Sequence, residues 1–207
     1  MLRLSKPVLK IGIVGLALAL TGCDGKPQLK PLVQGDTVLA FGDSLTAGRG
    51  VSREYAYPAV LQALIGRTVI NAGVSGELTE EGLKRLPELL DRHDPQLLIL
   101  LEGGNDILQN RSLESAKANL SAMIALAKDQ ERDVVLVGVP TKSLFATTAS
   151  LYTELAEEHQ IPLEENIISS LLKKPAMKSD SVHFNRAGYS ALADAIHVLL
   201  SDSGAVE

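Results

Sequence analysis

Aromatic residues, cysteine and long apolar runs are scarce in this sequence, and each scarcity excludes a class of structure or function. The 207 residues include no tryptophan, and aromatic residues make up 3% of the chain. Stacking of nucleic-acid bases on aromatic side chains is therefore not expected. The net charge of −5, with no basic cluster beyond the amino terminus, also argues against nucleic-acid binding.

The cysteine and histidine content limits the covalent and metal chemistry that the chain offers. A single cysteine excludes an internal disulfide. Neither a Cys-x-x-Cys pair nor a His-x-x-x-His pair occurs, so no set of zinc ligands is evident. We expect an activity that needs no metal and no organic cofactor.

The amino terminus has the pattern of a secretory signal peptide over residues 1–22. Arg3, Lys6 and Lys10 precede an apolar run, residues 11–20, that is too short to span a bilayer comfortably. A positively charged start followed by a short apolar core is typical of such a signal.

The only cysteine, Cys23, directly follows this segment. The sequence Leu20-Thr21-Gly22-Cys23 resembles the bacterial lipobox, which implies cleavage before Cys23 and attachment of acyl chains to it. Several acyl chains anchor a protein stably, whereas one is marginal. The resemblance implies a bacterial envelope lipoprotein that faces the periplasm or the exterior. The alternative is a plain signal anchor with an incidental cysteine.

The remaining chain reads as one domain between two short flanking segments. Residues 23–36 are the predicted lipidated cysteine and a short tether, and the tether is indicated by the prolines and glycines of residues 24–36. Residues 37–201 form the predicted domain, which is long enough for a sizeable core, and residues 202–207 the predicted tail. We expect a monomer.

Hydrophobic periodicity predicts an α/β fold. Apolar runs at residues 38–41, 67–70, 97–101, 133–139 and 161–163 indicate strands, and helical spacing follows at residues 58–65, 79–90, 112–130, 150–159 and 185–200. This alternation predicts a mainly five-stranded parallel sheet with helices on both faces, a three-layer α/β/α sandwich.

Polar and glycine residues follow three predicted strands and precede the last helix. The segments are 42–44 (Gly-Asp-Ser), 71–73 (Asn-Ala-Gly), 103–106 (Gly-Gly-Asn-Asp) and 180–185. Because the carboxyl ends of parallel strands share one edge, these loops can converge there. For the first segment alone, Asp43 or Ser44 capping the next helix is an equally good interpretation.

The residue types in these loops suit acyl transfer. Ser44 supplies a nucleophilic hydroxyl, and His183 is the natural base because imidazole titrates near neutrality. Asp180, three residues earlier on a turn, can orient that ring. The backbone N–H groups of Ser44 and Gly73 and the side-chain amide of Asn105 are candidate donors for the oxyanion.

These blocks identify a family resemblance. Gly42-Asp43-Ser44-Leu45, Gly73, Asn105 within Gly104-x-Asp106, and Asp180-x-x-His183 stand in the order and spacing of the SGNH (GDSL) hydrolases. The resemblance covers roughly residues 37–200 and is greatest to the bacterial thioesterase I/lysophospholipase/arylesterase group. It implies a flavodoxin-like sandwich, the roles just given to these residues, and an acyl ester or lysophospholipid substrate. Residues 75–79 and 85–90 resemble that group's mobile loop and the helix after it.

One residue departs from the family pattern. Phe184 follows His183 where the family usually has proline, and it can either line an acyl pocket or pack internally. Other apolar side chains near the loops are candidates for an acyl pocket: Leu45, Leu78, Ile107, Leu108, Pro140, Leu144 and Phe145.

The sequence thus predicts a serine ester hydrolase of the esterase, thioesterase or lysophospholipase type. An alternative is an O-acetylesterase acting on peptidoglycan or another polysaccharide. A further alternative, from a different class, is a surface lipoprotein that keeps the fold only as a binding scaffold.

Overall fold

The structure is a computed structural model that describes residues 27–142 and 147–207. The predicted signal peptide, Cys23, Leu144 and Phe145 lie outside the described residues. Within these ranges the chain forms a single sheet with helices on both faces.

The sheet has five parallel strands in the order β2-β1-β3-β4-β5. They are β1 (Thr37–Gly42), β2 (Thr68–Gly73), β3 (Leu97–Leu101), β4 (Asp133–Val137) and β5 (Leu163–Glu164). Every residue of β3 is buried, as expected for a strand covered on both faces. The predicted parallel sheet is confirmed, and its carboxyl ends meet along one edge.

Eight α-helices accompany the sheet in the described part of the chain. They are α1 (Ser44–Ala47), α2 (Tyr57–Ile65), α3 (Thr79–His93), α4 (Gly104–Leu108), α5 (Leu113–Asp129), α6 (Ser150–His159), α7 (Ile167–Leu172) and α8 (Arg186–Asp202). Helices α2 and α8 pack together, and α5 packs between α3 and α6. The predicted three-layer sandwich is therefore confirmed. The sequence did not predict the short helices α4 and α7.

Residues 27–36, here called the strap, pack against the domain. Leu29 and Leu32 belong to the hydrophobic core. Their N–H groups donate to the carbonyl oxygens of Ser203 and Ala205, each over 2.8 Å. Within the predicted tether and the predicted tail, these two segments bind each other and Ala205 is buried.

The strap runs along the amino edge of the sheet. The N–H of Lys30 donates to Asp133 Oδ2 at the start of β4 over 2.6 Å. Arg67, just before β2, donates from Nη2 to the carbonyl oxygen of Leu32 over 3.1 Å. The strap therefore joins both halves of the sheet at the edge opposite the strand ends that carry the candidate site.

No helix in residues 27–142 or 147–207 is long and apolar enough to cross a membrane.

Candidate active site

The turn after β1 presents Ser44 at the start of a helix. A Cβ on Gly42 would lie 1.9 Å from the carbonyl oxygen of Leu101, so only glycine permits this close approach of β1 and β3. Asp43 is the N-cap of α1, and its Oδ1 accepts the N–H of Leu45 over 2.9 Å. Because Asp43 performs the capping, the hydroxyl of Ser44 is left for other partners.

The structure brings Ser44, His183 and Asp180 together, although Ser44 and His183 are 139 residues apart. Ser44 Oγ lies 2.9 Å from His183 Nε2. On the other side of the ring, Nδ1 lies 2.7 Å from Asp180 Oδ2. A carboxylate at this distance fixes the tautomer with hydrogen on Nδ1, which leaves Nε2 free to accept the serine proton.

Asp180 is held in its ionised form by a tight turn. Its Oδ1 accepts the backbone N–H groups of Val182 and His183 over 2.9 and 2.8 Å. These bonds, led by that from Val182 and joined by the side chain of His183, lower the pKa of Asp180 to about 2. The side chain of His183 is 13% exposed and that of Asp180 is 50% exposed, so the charge lies at the rim of the site.

Phe184 packs inside the protein. It is fully buried, and its ring meets that of Tyr189 edge to face with centroids 5.6 Å apart. Tyr189 in turn donates its hydroxyl to the carbonyl oxygen of Arg49, in the loop after α1, over 2.8 Å. Aromatic packing therefore braces the histidine turn where the family usually has proline, and Phe184 does not line the cavity beside Ser44.

Asn105 lies in the first turn of α4, after a left-handed Gly103 with φ of 100°. Its Nδ2 donates to the carbonyl oxygen of Glu77 over 2.9 Å and, in a longer bond, to Asp43 Oδ2 over 3.4 Å. The next residue, Asp106, accepts both the N–H and the hydroxyl of Thr79, at 3.0 and 2.8 Å. These bonds join α4 to the start of α3.

Gly73 does not have the geometry of an oxyanion donor. Its N–H donates to Asn71 Oδ1 over 3.0 Å. A Cβ at this position would lie 2.0 Å from the backbone nitrogen of Ala47 in α1. Gly73 is therefore a packing glycine that lets α1 approach β2, and the expectation for it needs correction.

Four carboxyl groups are buried around these loops, on Asp43, Glu77, Glu102 and Asp106. Burial raises the pKa of Asp43 to about 6. Burial, reinforced by the charge of Asp43, raises the pKa of Glu102 to about 10, so Glu102 is neutral at pH 7. Glu102 Oε2 has no hydrogen-bond partner. Sequence reasoning missed this acid, since its burial depends on neighbours that are distant in the chain.

An apolar cavity of about 370 Å³ opens beside Ser44 and His183. Its apolar walls come from Leu45, α4, the loop after β4, α7 and the histidine turn: Leu45, Ile107, Leu108, Val139, Pro140, Ile168, Leu172 and Val182. Four of these, Leu45, Ile107, Leu108 and Pro140, were predicted, whereas Leu78 is not in the lining. The α7 side chains were missed because helix α7 was not expected.

Other features of the described residues lie away from this site. A larger cavity, of about 820 Å³, lies between the strap, α6 and α8 and contains none of the candidate catalytic residues. A second serine–histidine contact, Ser121 Oγ to His159 Nε2 at 2.8 Å, has no carboxylate on the other ring nitrogen within the described ranges. No cluster of potential metal ligands occurs in residues 27–142 and 147–207.

A serine, a histidine and an aspartate linked in this order beside an apolar cavity form the arrangement of the serine hydrolases. The chain matches the GDSL-like Lipase/Acylhydrolase family over residues 40–191, and it belongs to that family.

Similar proteins carry hydrolase names. The chain is 35% identical to an arylesterase of Vibrio mimicus, over 72% of this chain and 80% of that protein. It is 30% identical to thioesterase 1/protease 1/lysophospholipase L1 of Escherichia coli strain K12, over 77% and 80% of the two chains. Among solved structures, the crystal structure of TesA superposes with a TM-score of 0.75 at 26% identity, covering 80% of this chain and 98% of that one.

Proposed function

We propose that the protein cleaves acyl esters or thioesters through a Ser44–His183–Asp180 triad and an acyl-enzyme intermediate. The observation that carries this proposal is the continuous chain of contacts at 2.9 and 2.7 Å at the mouth of an apolar cavity. The hydrolase names of the similar proteins support the same reaction class.

The geometry supports the following proposed reaction. Nε2 of His183 takes the proton of Ser44 Oγ as the oxygen attacks the acyl carbonyl, and Asp180 stabilises the resulting imidazolium. The imidazolium then protonates the leaving alcohol or thiol. Water enters, gives a proton to Nε2 and attacks the acyl-enzyme, and the departing Ser44 oxygen regains its proton from His183.

Two groups are available for the oxyanion from the loops described. The N–H of Ser44 lies in the first turn of α1 and donates to no backbone or side-chain group in the described ranges. The second donor is the amide of Asn105. Loss of one such donor lowers turnover by roughly 10²–10³.

A third donor would come from the loop between β2 and α3. Gly76 has a φ of 88°, and a Cβ built there would meet nothing within 4 Å, so this glycine borders open space. Its N–H makes no hydrogen bond within the described ranges, and it precedes Glu77, whose carbonyl binds Asn105. We assign the role expected for Gly73 to Gly76.

The cavity favours an acyl chain over an acetyl group. Its apolar walls and volume of about 370 Å³ exceed the needs of a two-carbon acyl group. The proposed substrates are therefore medium-chain esters, thioesters or lysophospholipids. With Cys23 lipidated, the enzyme would be anchored in the bacterial envelope and face the periplasm or the exterior.

Two measurements test the proposal on the soluble domain. A fluorophosphonate probe should label wild-type protein but not the Ser44→Ala variant, and a folded wild-type protein that stays unlabelled would contradict the triad. Rates with 4-nitrophenyl acetate and octanoate should favour the octanoate. A strong preference for acetate would instead favour the O-acetylesterase alternative.

A further inference from the structure

The orientation of the Asn105 side-chain amide is set by the loop between β2 and α3. One of its two N–H groups donates to the carbonyl oxygen of Glu77 over 2.9 Å. Because the amide is planar, fixing one N–H fixes the direction of the other. The second N–H donates to Asp43 Oδ2 over 3.4 Å, a long bond that an oxyanion would replace. The position of the Glu77 carbonyl therefore decides where Asn105 points.

The peptide that carries this carbonyl is held at the N–H of Leu78, which donates to Glu81 Oε2 over 3.0 Å, and through the side chain of Glu77. Within the loop, the N–H of Glu77 donates to the carbonyl oxygen of Val74 over 3.2 Å. The side chain of Glu77 is only 4% exposed, and its carboxylate accepts hydrogen bonds from Nε and Nη2 of Arg85 over 2.8 and 2.6 Å. Two parallel bonds of this kind fix both distance and orientation.

Arg85 is itself anchored to the sheet. Nη2 also donates to the carbonyl oxygen of Ala72 in β2 over 3.0 Å. The guanidinium lies over the ring of Phe41 in β1, 4.2 Å from its centroid. Arg85 thus connects two strands of the sheet to the loop that aims Asn105.

We propose that Arg85 is a positioning residue for the oxyanion donor Asn105. It touches no reacting atom. It holds Glu77, whose carbonyl orients the amide of Asn105 towards the acyl oxygen in the transition state. This inference rests on the proposed function, and it adds a residue of α3 to the site.

A double-mutant cycle separates this role from a merely structural one. Arg85→Gln and Arg85→Lys are made in the wild-type and the Asn105→Ala backgrounds, and kcat, KM and Tm are measured with 4-nitrophenyl octanoate. Arg85→Lys keeps the positive charge but cannot make the two parallel hydrogen bonds to the carboxylate. It replaces Arg85→Gln in the cycle if that variant fails to fold.

In the wild-type background we expect either Arg85 variant to lower kcat by about 10-fold or more, with KM little changed. This loss is smaller than the one expected when an oxyanion donor is removed entirely. In the Asn105→Ala background the same change should lower kcat by less than about threefold. The fall in Tm should be equal in both backgrounds. Lys84→Gln breaks the neighbouring exposed pair with Glu80 and should leave kcat and Tm unchanged.

Three results would overturn the inference. The first is a loss of kcat that is as large in the Asn105→Ala background as in the wild type. The second is a folded Arg85 variant with wild-type kcat while Asn105→Ala is impaired. The third is an Asn105→Ala variant with wild-type kcat, which would remove Asn105 as the proposed oxyanion donor and the inference with it. This result is obtained from the single variant, before any change at Arg85 is made.

Discussion

The carboxyl and amino edges of the sheet differ in the kinds of side chain that they bury. At the carboxyl edge the site loops bury six polar or charged side chains: Asp43, Thr46, Glu77, Thr79, Glu102 and Asp106. At the amino edge the strap is held by backbone hydrogen bonds, by apolar side chains such as Leu29 and Leu32, and by hydrogen bonds at the rim to the side chains of Asp133 and Arg67. The acid Asp94 at this edge is 84% exposed and binds Arg132 at the surface.

This difference separates activity from stability. The carboxyl edge buries acids whose ionisation burial opposes, as the raised pKa values of Asp43 and Glu102 record, and such groups destabilise the folded state at neutral pH. The amino edge holds no candidate catalytic group and contributes burial and backbone pairing. Changes at the first edge should therefore alter activity or the pH dependence of stability, and changes at the second should alter stability without altering activity.

The largest expected effect is on turnover at the carboxyl edge. Ser44→Ala should lower ester hydrolysis by at least about 10⁴-fold, because the nucleophile is lost. The free energy of unfolding should change by less than about 0.5 kcal/mol. Steady-state rates and urea unfolding measure the two quantities. Retained hydrolysis in a preparation free of contaminating esterase would remove Ser44 from the mechanism.

The next effect is a gain in stability from Glu102→Gln. The folded protein keeps Glu102 protonated up to about pH 10, whereas the unfolded chain releases that proton near its ordinary pKa of about 4.3. Folding therefore takes up a proton, and stability falls as pH rises through this window. Glutamine takes up no proton on folding. The ratio of the variant's unfolding constant to that of the wild type should therefore fall by about tenfold per pH unit from pH 5 to 8.

Denaturant unfolding at several pH values tests this prediction. Glu157→Gln, which changes an exposed acid on α6, is the matched control and should show no such trend. A stability difference between Glu102→Gln and wild type that does not change with pH would mean that Glu102 is ionised in the folded protein.

A smaller loss of stability is expected at the amino edge. Leu32 is 7% exposed whereas its neighbour Val33 is 60% exposed. Leu32→Ala should lower the free energy of unfolding by roughly 2–3 kcal/mol, and Val33→Ala by less than about 0.5 kcal/mol. Neither should alter kcat by more than about twofold. Equal effects at both positions would show that the strap does not belong to the core.

The smallest effect concerns Asp180 at acid pH. Its folded pKa of about 2 lies below the ordinary value for aspartate, so its contribution to stability is present above about pH 4 and is lost as pH falls towards 2. Asp180→Asn should be less stable than wild type at neutral pH, and the gap should close between about pH 4 and 2. Acid titration followed by circular dichroism measures it. This trend is opposite to that of Glu102, because Asp180 is ionised and hydrogen-bonded at the rim.

Sequence patterns predicted the parallel sheet and predicted which loops converge at the candidate site. The run Leu97–Leu101 is typical of a strand buried on both faces, and the structure has it as one. The motifs around Ser44 and Asn105 follow from where parallel strands end, and that around His183 lies in the loop before the last helix. These features depend on local periodicity and on order along the chain, which a single sequence contains.

Features that depend on distant partners were missed. The strap has the prolines and glycines of a linker. The backbone N–H groups of Leu29 and Leu32 nevertheless donate to the carbonyl oxygens of Ser203 and Ala205, near the other end of the chain. Gly73 fitted a motif, yet its close contact with Ala47 shows that it is needed for packing. Neither contact leaves a periodic signal in the sequence.

The strap also decides which way the catalytic loops would face if Cys23 carries the proposed lipid. Only residues 24–26 separate Cys23 from the strap, and this length spans at most about 14 Å. The six residues of β1 rise about 20 Å from the strap side to Ser44. The cavity would then open away from the anchoring bilayer, so that substrates reach it from the aqueous compartment or from a facing surface rather than by lateral diffusion in the same leaflet.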